Sequence, residues 1–272
     1  MRVISFLGIS FLGVSILAET KPISRVVSLV PSVTETIYAI GAQDKLVGVV
    51  TPCDYPPGID LPIVGNFSFP NLESIVALKP DMVFITGGEQ KYLQPKLKEL
   101  GITAIIIDPQ NLDEIYGSIM EIGTLLGKLD KADSLVKIMK QEFEVLQKYS
   151  PPKRRKVLIE LSDNPLFTCG QGSFLDELIT DAQAINIAQS IDKPYPIVSS
   201  EFVVKQNPDV IIVMHSMSNP AARMGWQKVN AVKNNRIYTD IDPNIILRPG
   251  PRVIQGIKEL KQRIYPELKI YD

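Results

Sequence analysis

Two similar α/β lobes, each built on a parallel, doubly wound sheet, are the fold that this 272-residue chain predicts. Three observations carry the prediction. One pattern occurs twice without a gap, at residues 71–85 and 199–213, and sets Glu73 on Glu201, Val76 on Val204, Pro80 on Pro208 and Asp81 on Asp209. Short apolar strands alternate with helices in both halves, which means a parallel sheet. Between the halves runs Asp130–Tyr149, strongly charged on one side. Its other side carries Leu135, Val136, Ile138, Met139, Phe143 and Leu146, the period of a helix lying on an apolar surface.

Arg25–Val30 reads as the first strand. Pro31 breaks it, Ser32 is placed to cap the helix that carries Thr34 to Ile40, and Gly41 stops that helix. Leu46–Val50 is a second strand. Residues 53–58, with two prolines and a glycine, must be a loop, and 62–70 is irregular and holds Phe67 and Phe69. Each repeat copy is a short capped helix, a Pro-Asp break and a buried strand. Asn71 in the first copy, and Ser199 or Ser200 in the second, can cap, while the glutamates fall in the first turn, where the helix dipole favours negative charge. Proline cannot continue the helix, and the β-branched run behind it suits a strand covered on both faces. Residues 92–100 are helical, 102–107 a strand, and 111–127 and 130–149 helices. The second half restarts with a strand at 157–161, a loop at 164–172 and a helix from Phe174. After the second repeat copy come a helix over 226–232, a strand over 236–239, and Arg248-Pro249-Gly250-Pro251-Arg252 opening the last helix. The expected segments are therefore 1–18, 24–128 for the first lobe, 129–150 for the bridging helix and 156–272 for the second lobe.

A net charge of −1 without any basic block gives no reason to expect nucleic acid or an anionic membrane as partner. Met1-Arg2, the apolar run Val3–Leu17 and Ala18 before Glu19 describe a secretory signal peptide cleaved after Ala18; the run is short for a membrane span. With no cysteine in that region, the expected product is exported and soluble rather than a lipoprotein. Cys53 and Cys169 can form one disulfide or remain two thiols.

Enzyme signatures are scarce. A single histidine cannot build a His-rich metal site, Gly170-Gln171-Gly172 lacks the remaining glycine and the lysine of a phosphate loop, and no Gly-x-Ser-x-Gly elbow occurs. What remains are loops at strand ends, where open α/β sheets bind ligands. These loops hold Tyr55, Phe67, Phe69, Phe167, Tyr195 and Trp226, faces suited to a large flat ligand between two lobes, although each Phe can equally be a loop anchor in the core.

Several stretches resemble the class III periplasmic substrate-binding proteins of ABC importers, most of all the cobalamin-binding branch. They are Arg25 to Ser32 with Thr34-Glu35, Val47-Gly48-Val49 leading to residues 53–57, Asn71 to Asp81, Asn164 to Thr168, Val198 to Glu201, Trp226 with Arg236 to Tyr238, and Arg248 to Arg252. The resemblance implies two Rossmann-like lobes joined by one long rigid helix, a ligand cleft between them that closes little, and no enzyme activity or intrinsic cofactor. The implied ligand is cobalamin, with haem or a ferric siderophore as alternatives; a metal chelatase on a related fold is the enzyme alternative. The implied partners are a permease dimer with its ATPase subunits, met by a monomer. Glu73 and Glu201 dock on that permease, and two like-placed charges on two like lobes independently suit a two-fold partner. The corrinoid-sandwiching aromatics of the family map onto Tyr55, Phe67, Phe167 and Tyr195, with Thr86 near a family tryptophan position. Trp226 and Arg248 join the expected ligand site. Arg248 and Arg252 can pair with carboxylates of a siderophore or of haem, or Arg252 can orient the last helix. His215 either ligates cobalt or haem iron or is a plain loop residue. The mapping puts Cys53 and Cys169 in opposite lobes, so free thiols are expected.

Overall fold

A computed structural model describes residues 22–215 and 219–270. The expected signal peptide lies outside the described residues. The first half places β1 (Val26–Ser28), α1 (Pro31–Ala39), β2 (Leu46–Val49), α2 (Leu72–Ala77), β3 (Met82–Ile85), α3 (Leu93–Glu99), β4 (Thr103–Ile106) and α4 (Leu112–Leu125) in order. Its four strands form a parallel sheet in the order β2-β1-β3-β4. The long α5 (Leu129–Gln147) follows, and packs on α4. It buries Ala132, Val136, Met139 and Leu146; Ile138, assigned to the apolar side, is 53% exposed. The second half runs β5 (Lys156–Asp163), β6 (Leu166–Thr168), α6 (Phe174–Asp181), β7 (Ile185–Asn186), α7 (Ser200–Gln206), β8 (Val210–Val213), α8 (Asn230–Lys233), β9 (Ile237–Tyr238), α9 (Pro243–Leu247) and α10 (Val253–Ile264). Here β5 pairs in parallel with β8 and with the short β7 and antiparallel with β6, and β9 lies parallel to β8 on its far side.

The repeat holds down to single hydrogen bonds. The amide of Ser74 donates to the Asn71 side chain, and that of Phe202 to Ser199, so Ser199 rather than Ser200 is the cap. The residues before the two prolines, Lys79 and Asn207, both adopt a left-handed conformation, at φ 47° and 52°. The carboxylate that follows turns back on the first strand of its sheet: Asp81 accepts from the Ser24 and Arg25 amides, and Asp209 from the Lys156 amide. Arg25 donates to the Leu78 carbonyl and Lys156 to the equivalent Gln206 carbonyl. Strand register agrees as well, Val26 opposite Met82 and Val157 opposite Val210. Each clasp satisfies backbone groups that a sheet edge and a helix end would otherwise leave open.

Four expectations are corrected. Ser32 does not cap α1: the helix begins at Pro31, whose fixed φ and missing N–H suit a first helical position, and Ser32 is buried inside it. The loop at 164–172 contains β6, because the Asn164-Pro165 turn folds the chain back onto β5 and makes the second sheet mixed. Residues 226–232 divide into a 3-10 turn at Trp226–Lys228 and the short α8. Ahead of the Arg248–Arg252 segment stands α9, with Pro243 in its first turn and Asp242 as its cap. One apolar core runs through both halves, from Val26 and Phe84 to Ile159 and Leu260, and a second cluster surrounds Trp226.

Candidate functional site

Parallel strands present all their carboxyl ends on one side, and in the first lobe those ends open onto a cavity. The segments after β1 (Val30 to Ser32), β2 (Pro52), β3 (Thr86 to Glu89) and β4 (Ile107 to Gln110) line it. Opposite them stand Phe174 at the start of α6, Tyr195, and Asn244 to Pro249 in and after α9. The volume is about 600 Å³, and the lining is largely apolar, with Phe67 and Tyr195 contributing aromatic faces. A site of this size and character suits one bulky organic ligand.

Each aromatic is held by a device of its own. The Phe67 loop leaves Gly65 at φ 112°, where an added Cβ would lie 2.6 Å from the Phe69 carbonyl, so only glycine fits the turn. The fully buried Gln90 donates to the Phe67 carbonyl at 2.8 Å and to the Leu29 carbonyl at 2.9 Å, while its Oε1 accepts the Thr86 amide. One amide thus ties the ends of β1 and β3 to the Phe67 loop. Thr86 donates its hydroxyl to Asp108 Oδ1 at 3.0 Å across the cavity floor. Tyr195 is displayed between Pro194 and Pro196, whose carbonyls accept the amides of Gly170 and Thr168. Burial raises the pKa of the Tyr195 phenol, which stays protonated at neutral pH.

The two lobes meet through ions. Glu35, on α1 and 4% exposed, receives Arg248 at 3.0 Å and Arg252 at 2.6 and 2.8 Å. Arg248 also donates to Asp54 at 2.7 Å and to the Pro52 carbonyl at 2.9 Å. The hydrogen bond and charge of Arg248 hold the Asp54 carboxyl below its ordinary range. Arg252 lies 3.9 Å over the Tyr55 ring. At Gly250 a Cβ would come within 2.9 Å of Ser32 Cβ, so the Arg248–Arg252 segment rests directly on α1.

Of the expected ligand residues, Phe67, Tyr195 and Arg248 line the cavity. Tyr55 stands beside it, 40% exposed under Arg252, and Phe167 is half-buried on β6, bridged to Ile197. Trp226 is a correction: it is fully buried in the second core cluster with Leu158, Val203 and Ile211, with Arg223 stacked on its ring. A residue with so much apolar area at a 3-10 turn under the sheet is a core anchor, and it offers no face to a ligand. His215 lies 2.9 Å from the buried Glu160, which Arg223 grips at 2.6 and 2.7 Å. Among the described residues no group of three His, Cys, Asp or Glu side chains converges to hold a metal ion, and His215 pairs with Glu160. Cys53 and Cys169 are both buried and free, as expected. Glu73 and Glu201 are exposed on the first turns of α2 and α7, and the backbone amide of Glu201, with the Ser199 side chain, lowers the pKa of Glu201. Glu35, Asp54, Gln90, Asp108 and Phe174 were not assigned roles from the sequence. Thr34-Glu35 beside a proline was the only trace of Glu35, and nothing local marks its partners more than two hundred residues away.

The periplasmic binding protein family model matches residues 26–243. An uncharacterized ABC transporter substrate-binding lipoprotein of Bacillus subtilis is 37% identical over 259 residues, covering 91% of this chain and 82% of that protein. The vitamin B12-binding protein of Vibrio cholerae is 30% identical over 267 residues, 96% of each chain. The structure of a periplasmic haem-binding protein from Roseiflexus sp. RS-1 superposes with a TM-score of 0.81 at 25% identity, covering 90% of this chain and 99% of that one.

Proposed function

The chain belongs to the periplasmic binding protein family, and from that premise we propose that it captures a corrinoid outside the cytoplasm and hands it to an ABC permease with its ATPase subunits. It acts as a carrier without chemistry of its own. The observation that carries this reading is the cavity of about 600 Å³ between the lobes, mostly apolar and walled by Phe67, Tyr195, Phe174 and Leu247. Such a cleft can enclose part of a corrin while leaving the rest exposed to the transporter. Similarity to the B12-binding protein over nearly the full length of both chains supports the same ligand class. A second reading, haem, is favoured by the fold shared with the haem-binding structure.

The site is built from Phe67 and Tyr195, with Tyr55 and Phe167 at its edge and Arg248 in its wall. Glu73 and Glu201 form the docking pair. Each helix returns to the start of the next parallel strand, so its first turn stands towards the carboxyl ends of the strands, the end of the lobe that holds the cavity. The protein reaches its place of work by export and cleavage after Ala18, and among the described residues no helix is long and apolar enough to cross a membrane. Calorimetric titration of the purified protein with cyanocobalamin, haemin and a ferric siderophore tests the ligand. The expected result is 1:1 binding of cyanocobalamin at least about tenfold tighter than the others, a difference of about 1.4 kcal/mol. Tighter binding of haemin or of the siderophore would replace the corrinoid reading.

A further inference from the structure

Among the described residues, Arg248 is the one cation that lines the cavity; the other charged lining residues are Glu89 and Asp108. Taken alone, such an arginine would favour an anionic ligand. Three of its five N–H donors are engaged, all by acceptors of the first lobe. One terminal nitrogen is shared by Glu35 and Asp54, and the other donates to the Pro52 carbonyl. Glu35 is sealed, its side chain 2% exposed, and is also held by Arg252; the Asp54 side chain is 58% exposed. Two arginines therefore close on two carboxylates, and the charges left facing the cavity are acidic.

Resting on the reading of the cleft as a macrocycle site, we propose that Glu35 and Asp54 set its charge selectivity: by neutralising Arg248 they bias the cleft against ligands with free carboxylates and towards their amide or ester counterparts. A carboxylate-bearing ligand meets an arginine whose charge Glu35 and Asp54 already offset, so it competes with Asp54 for that charge, and it approaches Glu89 and Asp108 as like charges. A ligand whose periphery is carboxamide meets neither obstacle. The exposed Asp54 is the exchangeable member, and the buried Glu35 the permanent one. Both act through Arg248 and are positioning residues.

The test uses two matched ligand pairs: cyanocobalamin against its monocarboxylic acid, in which one propionamide is hydrolysed, and haemin dimethyl ester against haemin. Within a pair the macrocycle is the same and one peripheral group gains or loses its charge, so a shift of the affinity ratio between wild type and variant reports charge selectivity, whereas a purely structural role would weaken both members alike. The wild-type protein is expected to prefer the uncharged member, and Asp54→Asn to narrow the ratio by about three- to tenfold, the scale of freeing one charge-assisted donor. Glu35→Gln narrows it further where the variant folds; Asp54→Asn, at an exposed position, carries the test where it does not. A ratio unchanged by Asp54→Asn, or a wild-type preference for the carboxylate member, overturns the proposal. If only the haem pair binds, the corrinoid reading falls while charge selectivity is read on that pair. If neither pair binds, both fall.

Discussion

The two lobes agree where strands begin and differ where strands end. At the beginning, Asp81 and Asp209 perform the same task on β1 and β5, with a left-handed residue, Lys79 or Asn207, before the proline and a cation, Arg25 or Lys156, on the carbonyl ahead of it. At the carboxyl ends the solutions diverge. The first lobe uses a neutral hub, the amide of Gln90, which matches two carbonyls and an amide N–H. The second uses a charged hub, Glu160, fully buried beneath Arg223 and His215. The two lobes are alike in the clasps at their strand beginnings and in the exposed glutamates of their helix starts, and unlike at the carboxyl ends. The difference places the first lobe's control of the cavity in polar geometry and the second lobe's loop architecture in ion pairing.

The largest expected effect comes from the charges that the two lobes share. Reversing both repeated acids, Glu73→Lys with Glu201→Lys, should abolish ligand uptake in a transport assay while calorimetry finds ligand affinity near normal, because both lie on exposed helix starts. Transport that persists in the double variant removes the docking assignment. Next come the two hubs. Glu160→Ala takes away the carboxylate shared by Arg223 and His215 and should lower unfolding stability by about 3–5 kcal/mol. Gln90→Leu leaves two buried carbonyls and one N–H unmatched, with an expected loss of about 2–3 kcal/mol and a weaker ligand affinity through the loosened Phe67 loop. Equal losses, measured by denaturant unfolding, would erase the distinction between a charged and a neutral hub.

The shared clasp should give nearly equal and smaller costs. Asp81→Ala and Asp209→Ala are each expected to lose about 1–2 kcal/mol, and a difference beyond that range would show that the two copies are not equivalent. The smallest effect lies where the lobes face one another across α5. Burial, with Glu177 and Asp113 nearby, raises Asp181 to about 6. A carboxyl raised in the folded state favours folding while protonated, so this contribution is complete below about pH 4 and is lost as pH rises through 6. Allowing for screening at its half-buried position, Asp181→Asn should gain about 1 kcal/mol at pH 7.5 relative to pH 4 in paired urea titrations. An unchanged pH slope would remove that assignment.

Much of the fold is written locally. Caps, Pro-Asp breaks and strand periodicity involve neighbours in the chain, so the twin lobes, the bridging segment and the exposed repeat glutamates were readable from residue order alone. The aromatics of the Phe67 and Tyr195 loops belong to that readable part, because proline and glycine mark loops and aromatic rings stand out in them. Three outcomes needed the folded chain. Trp226 looked like a loop aromatic and proved to be a core anchor, since burial depends on what packs above a residue. Residues 164–172 looked irregular and contained β6, since an edge strand as short as this one is specified by its partner β5. The third is the wall of the cleft. Glu35 meets Arg248 and Arg252, and Gln90 meets Leu29 and Phe67, only after distant segments converge. Two alike halves and the ends of their helices follow from residue order, because those rest on short-range hydrogen bonding and periodicity. Which charges face the cavity was fixed only on folding, because neutralising a charge requires a partner, and partners in space carry no signature in sequence distance.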